Sequence, residues 1–196
     1  MKPIIFFLLA ALMVVISVIA PACSTVSDSK KAAEDSNTAR FNKSDTANPS
    51  VATLEKDADF AVTAADGGLM EVKLGQLALQ HGRRKEVKAF GRMMIKDHTA
   101  AGNELKALAT QKNMVLPDSL SDGMKKKYNR FLGLKGDAFD KAYIQLMVED
   151  HQEDVAAFRH YAGSGADQNL VQWANRELPV LEAHLQQAKQ VAGLLE

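Results

Sequence analysis

Five polar side chains stand where a helical stripe would otherwise be apolar: Glu71, His98, His151, Glu177 and His184. Each shares its face with Leu, Met, Phe, Val or Ala at helical spacing, so each is turned toward a core. A buried charge without partners is costly, and such groups must meet one another, water or a ligand. Glu71, His98, His151 and His184 come one from each of four segments, as a site inside a four-helix bundle requires. Three imidazoles and a carboxylate suit a single Zn²⁺ or Cu²⁺ ion. Met94 and Met147 each precede a histidine by four residues, and thioethers turned inward would favour Cu(I). Glu177 offers a further carboxylate. The competing reading makes these histidines core residues, tied to Glu71, Glu177, Asp97 or Asp150, with the methionines filling gaps and no cofactor at all. Stripe phase fixes a face but not a depth along the bundle, so both readings stand at this level.

Other chemistries find less support. A di-iron bundle needs Glu-x-x-His on two helices, to place carboxylate and imidazole one turn apart. Ile95, Val148 and Leu181 occupy the positions where those glutamates would stand. Ser119 and Ser164 have no histidine or acid at triad spacing and read as caps. Cys23 is the sole cysteine, which excludes a disulfide framework and a multi-thiolate metal site. No residue is therefore assigned a catalytic role, and the leading expectation is a non-catalytic binding or interaction module, with a metal-binding or redox bundle as the alternative. The ligand, whether protein or small molecule, is not specified by the sequence. Arg83-Arg84-Lys85 and Lys125-Lys126-Lys127 read as solvated clusters, although the second could touch anionic headgroups.

The elements that must position these residues are long helices. Apolar residues recur with period 3.6 over about 54–81, 84–112, 138–162 and 168–195, and no segment alternates with period 2. Asp57 is expected to cap the first helix, Gly82 to end it in a left-handed conformation, and Ser119–Asp122 to start a shorter helix running to about Leu134. Gly67-Gly68 costs helix stability and suggests close helix approach or room beside Glu71. Pro179 falls inside the last helix, where a kink is expected. The fold class is all-α: an antiparallel four-helix bundle with a short extra helix between the second and third long ones.

Asp59-Phe60, Gly68, Glu71, Leu77-Ala78, Lys96-Asp97-His98, Phe139-Asp140, Tyr143, Asp150-His151, Leu178-Pro179 and His184-Leu185 follow one another in an order and spacing that resemble a bacterial family. It is the ferritin-like domain-of-unknown-function family 4142, whose members are described as membrane or outer-membrane proteins. The resemblance covers about 57–193. It implies a ferritin-like fold and an envelope location, and it brings no activity and no ligand set.

Upstream, Met1-Lys2-Pro3 and the apolar run Ile4–Ala20 have the layout of a secretory signal over residues 1–22. Ala20-Pro21-Ala22-Cys23-Ser24 resembles a lipoprotein cleavage site, with Cys23 as the acylated residue, although the same residues satisfy ordinary cleavage after Ala22. Residues 23–52 hold few large apolar side chains and are expected to form a flexible tether, with the bundle occupying 53–196. The expected location is the cell envelope, as an outer-membrane lipoprotein with its domain in the periplasm and the lipid as its membrane contact. Lys and Arg number 24 against 24 acids, so no basic field exists to neutralise a nucleic acid.

Overall fold

A computed structural model describes residues 28–42 and 50–196 of the chain, the side chains of 50 and 51 apart. The expected signal and Cys23 lie outside the described residues. Six helices follow in order: α1 (Ser29–Asn42), α2 (Ser50–His81), α3 (Lys85–Gln111), α4 (Asp122–Asn129), α5 (Gly136–Ser164) and α6 (Gln168–Gly193). The described residues include no strand, and no described helix is long and apolar enough to cross a membrane. The four long helices match the four stripes to within a few residues. The short α4 starts within the expected Ser119–Asp122, with Ser121 as its cap, accepting from the Met124 amide at 3.2 Å, but it ends at Asn129, short of the expected Leu134.

Two tight links pair α2 with α3 and α5 with α6. At the first, α2 and α3 cross almost backbone to backbone: a Cβ on Gly75 would lie 2.7 Å from the Gly91 carbonyl oxygen. The buried Asp140 carboxylate of α5 then accepts from the Arg83 and Arg84 amides, at 3.0 and 2.8 Å, which places the start of α5 beside the α2–α3 turn. Residues 112–135, with α4 among them, therefore run back along the bundle, and α3 and α5 point the same way. At the opposite end the Asp57 carboxylate accepts from Tyr161 Oη at 2.6 Å and from the Ala166 and Asp167 amides at 3.1 and 2.9 Å.

Three local expectations are corrected by these contacts. Asp57 sits inside α2, which begins at Ser50, and serves the α5–α6 turn instead of its own helix. Gly82 is not left-handed; among the described residues only Asn113 and Gly136 have positive φ. A Cβ on Gly82 would lie 2.6 Å from the Ala78 carbonyl oxygen, so close packing is what favours glycine there. The expected tether is in part a docked helix. Ala33, Asn37 and Phe41 of α1 are buried, and Asn37 meets both backbone groups of Val115, donating at 3.0 Å and accepting at 2.6 Å. Arg40 donates to the Asn113 carbonyl at 3.1 Å, and Ser29 to Asp118 at 3.2 Å. A stripe of one face per turn is enough for 14 residues when a neighbouring loop supplies the missing polar partners.

The apolar core comes in two blocks. One holds Met70, Leu74, Phe90, Met94, Phe139, Tyr143, Met147 and Val191, toward the α2–α3 turn. The other holds Ala58, Ala61, Leu105, Val155, Phe158, Leu170 and Trp173, toward the α5–α6 turn. Along α3, α5 and α6 the buried members of the two blocks are separated at His98, His151 and His184; on α2, Glu71 lies next to Met70, just inside the first block.

Candidate metal centre

The four polar residues form a layer across the bundle, each carried into the core by the stripe of its helix. Glu71, His151 and His184 are buried, and the His98 side chain is 9% exposed. The three ring centroids lie 5.3–5.7 Å from one another. One nitrogen from each ring lies within 4.8 Å of one from each of the other two.

Hydrogen bonding assigns the tautomers. His151 Nδ1 lies 2.9 Å from the Met147 carbonyl oxygen, which can only accept, so Nδ1 carries the proton and Nε2 is a lone-pair nitrogen. His184 Nε2 faces Asp97 Oδ2 at 3.2 Å. Burial pushes the Asp97 carboxyl up, but its bonds with His184 and Lys96 outweigh burial and hold it below the usual range. Ionised Asp97 accepts from Nε2–H, which leaves His184 Nδ1 as a lone pair. His98 Nδ1 lies 2.9 Å from Glu71 Oε2, and His98 Nε2 is buried with no partner.

Each imidazole is thus held from behind by an oxygen, and the opposite nitrogens turn inward. His151 Nε2 and His184 Nδ1 face each other at 3.4 Å with a lone pair on each. Burial lowers the pKa of all three histidines, so a bridging proton is disfavoured. Two nitrogens bound at about 2.05 Å in tetrahedral geometry are about 3.3 Å apart, close to what is found here. A histidine that donates its second N–H to a carboxylate or carbonyl is the usual outer arrangement of a metal-bound imidazole.

Glu71 lies behind this triangle. Its Oε1 is 3.5 Å from His151 Nδ1, whose proton is spent on Met147, and it makes no hydrogen bond. Burial, against the opposing pull of His151, pushes its carboxyl up to about 7. Met94 and Met147 are fully buried in the neighbouring apolar block. Glu177 and Asp154 are partly buried beside the layer, and neither has a cation or hydrogen-bond donor bound to it among the described residues. Burial raises both carboxyls, and Asp154 is raised further by Glu71.

Asp97 is one of the carboxylates expected to tie the core histidines, and it holds His184; that Asp154 and the Met147 carbonyl join the same set was not readable. The Asp97–His98 adjacency was the one visible hint, and adjacent residues point to different neighbours on a helix. His81 and His160 stand apart: His81 Nδ1 lies 2.7 Å from the Leu134 carbonyl oxygen, and His160 meets Ser164 within α5. Gly67 and Gly68 line a cavity beside the layer, and an added Cβ on Gly68 would lie 3.9 Å from His98 Nδ1, which is ordinary contact.

Fold and site together define an all-α protein with a three-imidazole cluster at mid-bundle. The chain belongs to the family described as Domain of unknown function (DUF4142), which matches residues 42–191. It is also similar to a solved structure of CopM in the Cu(II)-bound form, with 19% sequence identity and a TM-score of 0.61. That likeness covers 71% of this chain and 97% of the other, and at this identity it bears on the fold alone. No curated protein matches the sequence.

Proposed function

We propose that this protein is a metal-binding bundle that holds one Cu²⁺ or Zn²⁺ ion on His98 Nε2, His151 Nε2 and His184 Nδ1. The observation that carries the reading is the pair of lone-pair nitrogens facing each other at 3.4 Å on two buried histidines. Neutral core histidines arranged only for stability would turn an N–H toward a lone pair. Here Asp97 and Met147 hold both rings the other way. Closing the widest gap from 4.8 Å needs a movement of at most about 1.5 Å, within reach of side-chain rotation. In this reading Glu71 orients His98 from behind. Met94, Met147 and Glu177 are not needed as ligands. That CopM is known in a Cu(II)-bound form agrees with copper as one of the two ions.

The proposal includes the envelope location and the lipid anchor at Cys23, which rest on the signal layout of residues 1–23.

The test is a metal titration of the full chain, purified without chelator or affinity metal. Cu²⁺ or Zn²⁺ at one equivalent should raise the thermal midpoint, with a gain of about 2.7 kcal/mol at a hundredfold excess over Kd. His98→Ala, His151→Ala and His184→Ala should each lose the gain, and His81→Ala should keep it. If His98→Ala instead lowers stability by about 1–3 kcal/mol and neither protein responds to metal, the histidines are core residues and the proposal fails.

A further inference from the structure

The three-imidazole triangle is open on one side. His98 and His184 form part of the wall of a cavity of about 490 Å³, while His151 lies behind them, fully buried. Pockets that take small molecules fall in this size range. Away from the histidines the walls are mostly apolar, with Leu105, Ala109, Met114, Phe158, Trp173 and Leu181, although Asn103, Thr110 and Asp118 also line the cavity. Trp173 is 2% exposed, and its Nε1–H has no partner. A buried indole N–H without an acceptor is costly, and a guest with an acceptor atom would satisfy it. Next to the imidazoles the wall carries acids: Glu71, Asp97, Asp154 and Glu177. The cavity's lysine, Lys106, is exposed at the rim.

Three protein ligands with a fourth position left open is the pattern of sites that bind an exchangeable group. We propose that this position is filled from the cavity by a small neutral molecule with a nitrogen or thioether donor and an apolar, preferably aromatic, body. The inference rests on the metal reading above. Apolar walls select the body, and the surrounding carboxyls disfavour an anionic donor such as azide or a carboxylate. The donor meets the metal between His98 and His184, and the body lies along Phe158 and Trp173.

The probe is 4-phenylimidazole, compared with imidazole and azide, added to the Cu²⁺-loaded full chain. Binding is read from the Cu(II) electron paramagnetic resonance spectrum and from the emission of Trp173, the chain's sole tryptophan. We expect 4-phenylimidazole to shift the Cu(II) spectrum at a concentration at least tenfold lower than imidazole, with azide weakest, and to change Trp173 emission at the same concentration. Gly67→Leu and Gly102→Leu fill the cavity from α2 and α3. An added Cβ at either position meets nothing within 4 Å, and Leu is the better helix former, so both variants should fold. Both should keep Cu²⁺ and lose the advantage of the phenyl group. Copper bound with equal response to imidazole and 4-phenylimidazole, or an advantage that survives both variants, overturns this inference and leaves the metal reading standing. Absence of any protein-bound Cu(II) signal before ligand is added overturns this inference, and absence of a Zn²⁺ response in the thermal titration as well overturns the metal reading.

Discussion

Asp154, beside the layer, is the side chain that the rest of the structure does least to support. It lines the cavity without a cation, its carboxyl is pushed well up by burial, and Glu71 adds repulsion. A carboxyl raised above its unfolded value costs stability once pH exceeds the folded pKa, and the cost fades as pH falls toward the unfolded one. Asp154→Asn should therefore stabilise the metal-free protein above neutral pH. The gain should shrink toward pH 4, as chemical denaturation at the two pH values would show. A destabilised Asn variant at pH 8 would mean that Asp154 has a protein partner. At this scale the sequence is informative about type and silent about direction. Glu71, His98, His151 and His184 are legible because a polar residue on an apolar stripe stands out. Which ring nitrogen turns inward depends on Met147 and Asp97, and a backbone carbonyl leaves no mark in the sequence. Glu71 looks like a ligand from its stripe and stands behind the histidines in the structure, since stripe position does not say which of two neighbours a carboxylate reaches.

The helices themselves were largely readable, because 25–30 residues of period 3.6 leave little ambiguity. Their ends and the added helix were not. α1 escapes a periodicity reading: its buried face is Ala33, Asn37 and Phe41, and Asn37 belongs inside only because Val115 satisfies it. Asp57 likewise caps a turn more than a hundred residues away. The start of α6 shows how much one such residue can carry. Asp167 accepts from the Asn169 and Leu170 amides, both at 3.0 Å, and pairs with Lys112 at the end of α3. Burial alone would raise its carboxyl, but Lys112 and the two amides hold it below the usual range. A depressed carboxyl contributes stability that is present above the unfolded value and lost as pH falls through the folded one. Asp167→Ala should cost about 1–2 kcal/mol at pH 7, the worth of a good cap. Most of that difference should vanish below pH 3, in parallel acid melts of the two proteins. A constant difference across that range would remove charge from the explanation.

For the molecule as a whole, the all-α class follows from the stripes, while the route of the chain does not. Short links suggest strict alternation, yet residues 112–135 span the bundle and return α5 to the end where α3 began. Only contacts such as Asp140 with the Arg83 and Arg84 amides reveal that return. The proposed anchor is tested at the same scale. Cys23→Ser should move the processed protein from the membrane pellet to the soluble envelope fraction, followed by fractionation and immunoblot; a processed variant that stays in the pellet would refute lipidation. Docking of α1 changes what such an anchor would do. Asp28 accepts from the Asp122 amide at 2.7 Å, so the chain reaches the bundle beside α4. Four residues, 24–27, lie between Asp28 and Cys23, and the five Cα–Cα steps span at most about 18 Å when fully extended. An acyl chain at Cys23 would then act less as a leash than as a short stalk. The flank bearing Lys125 and Lys126 would be kept beside the headgroups, and the bundle would ride on the bilayer with a preferred side down instead of tumbling above it.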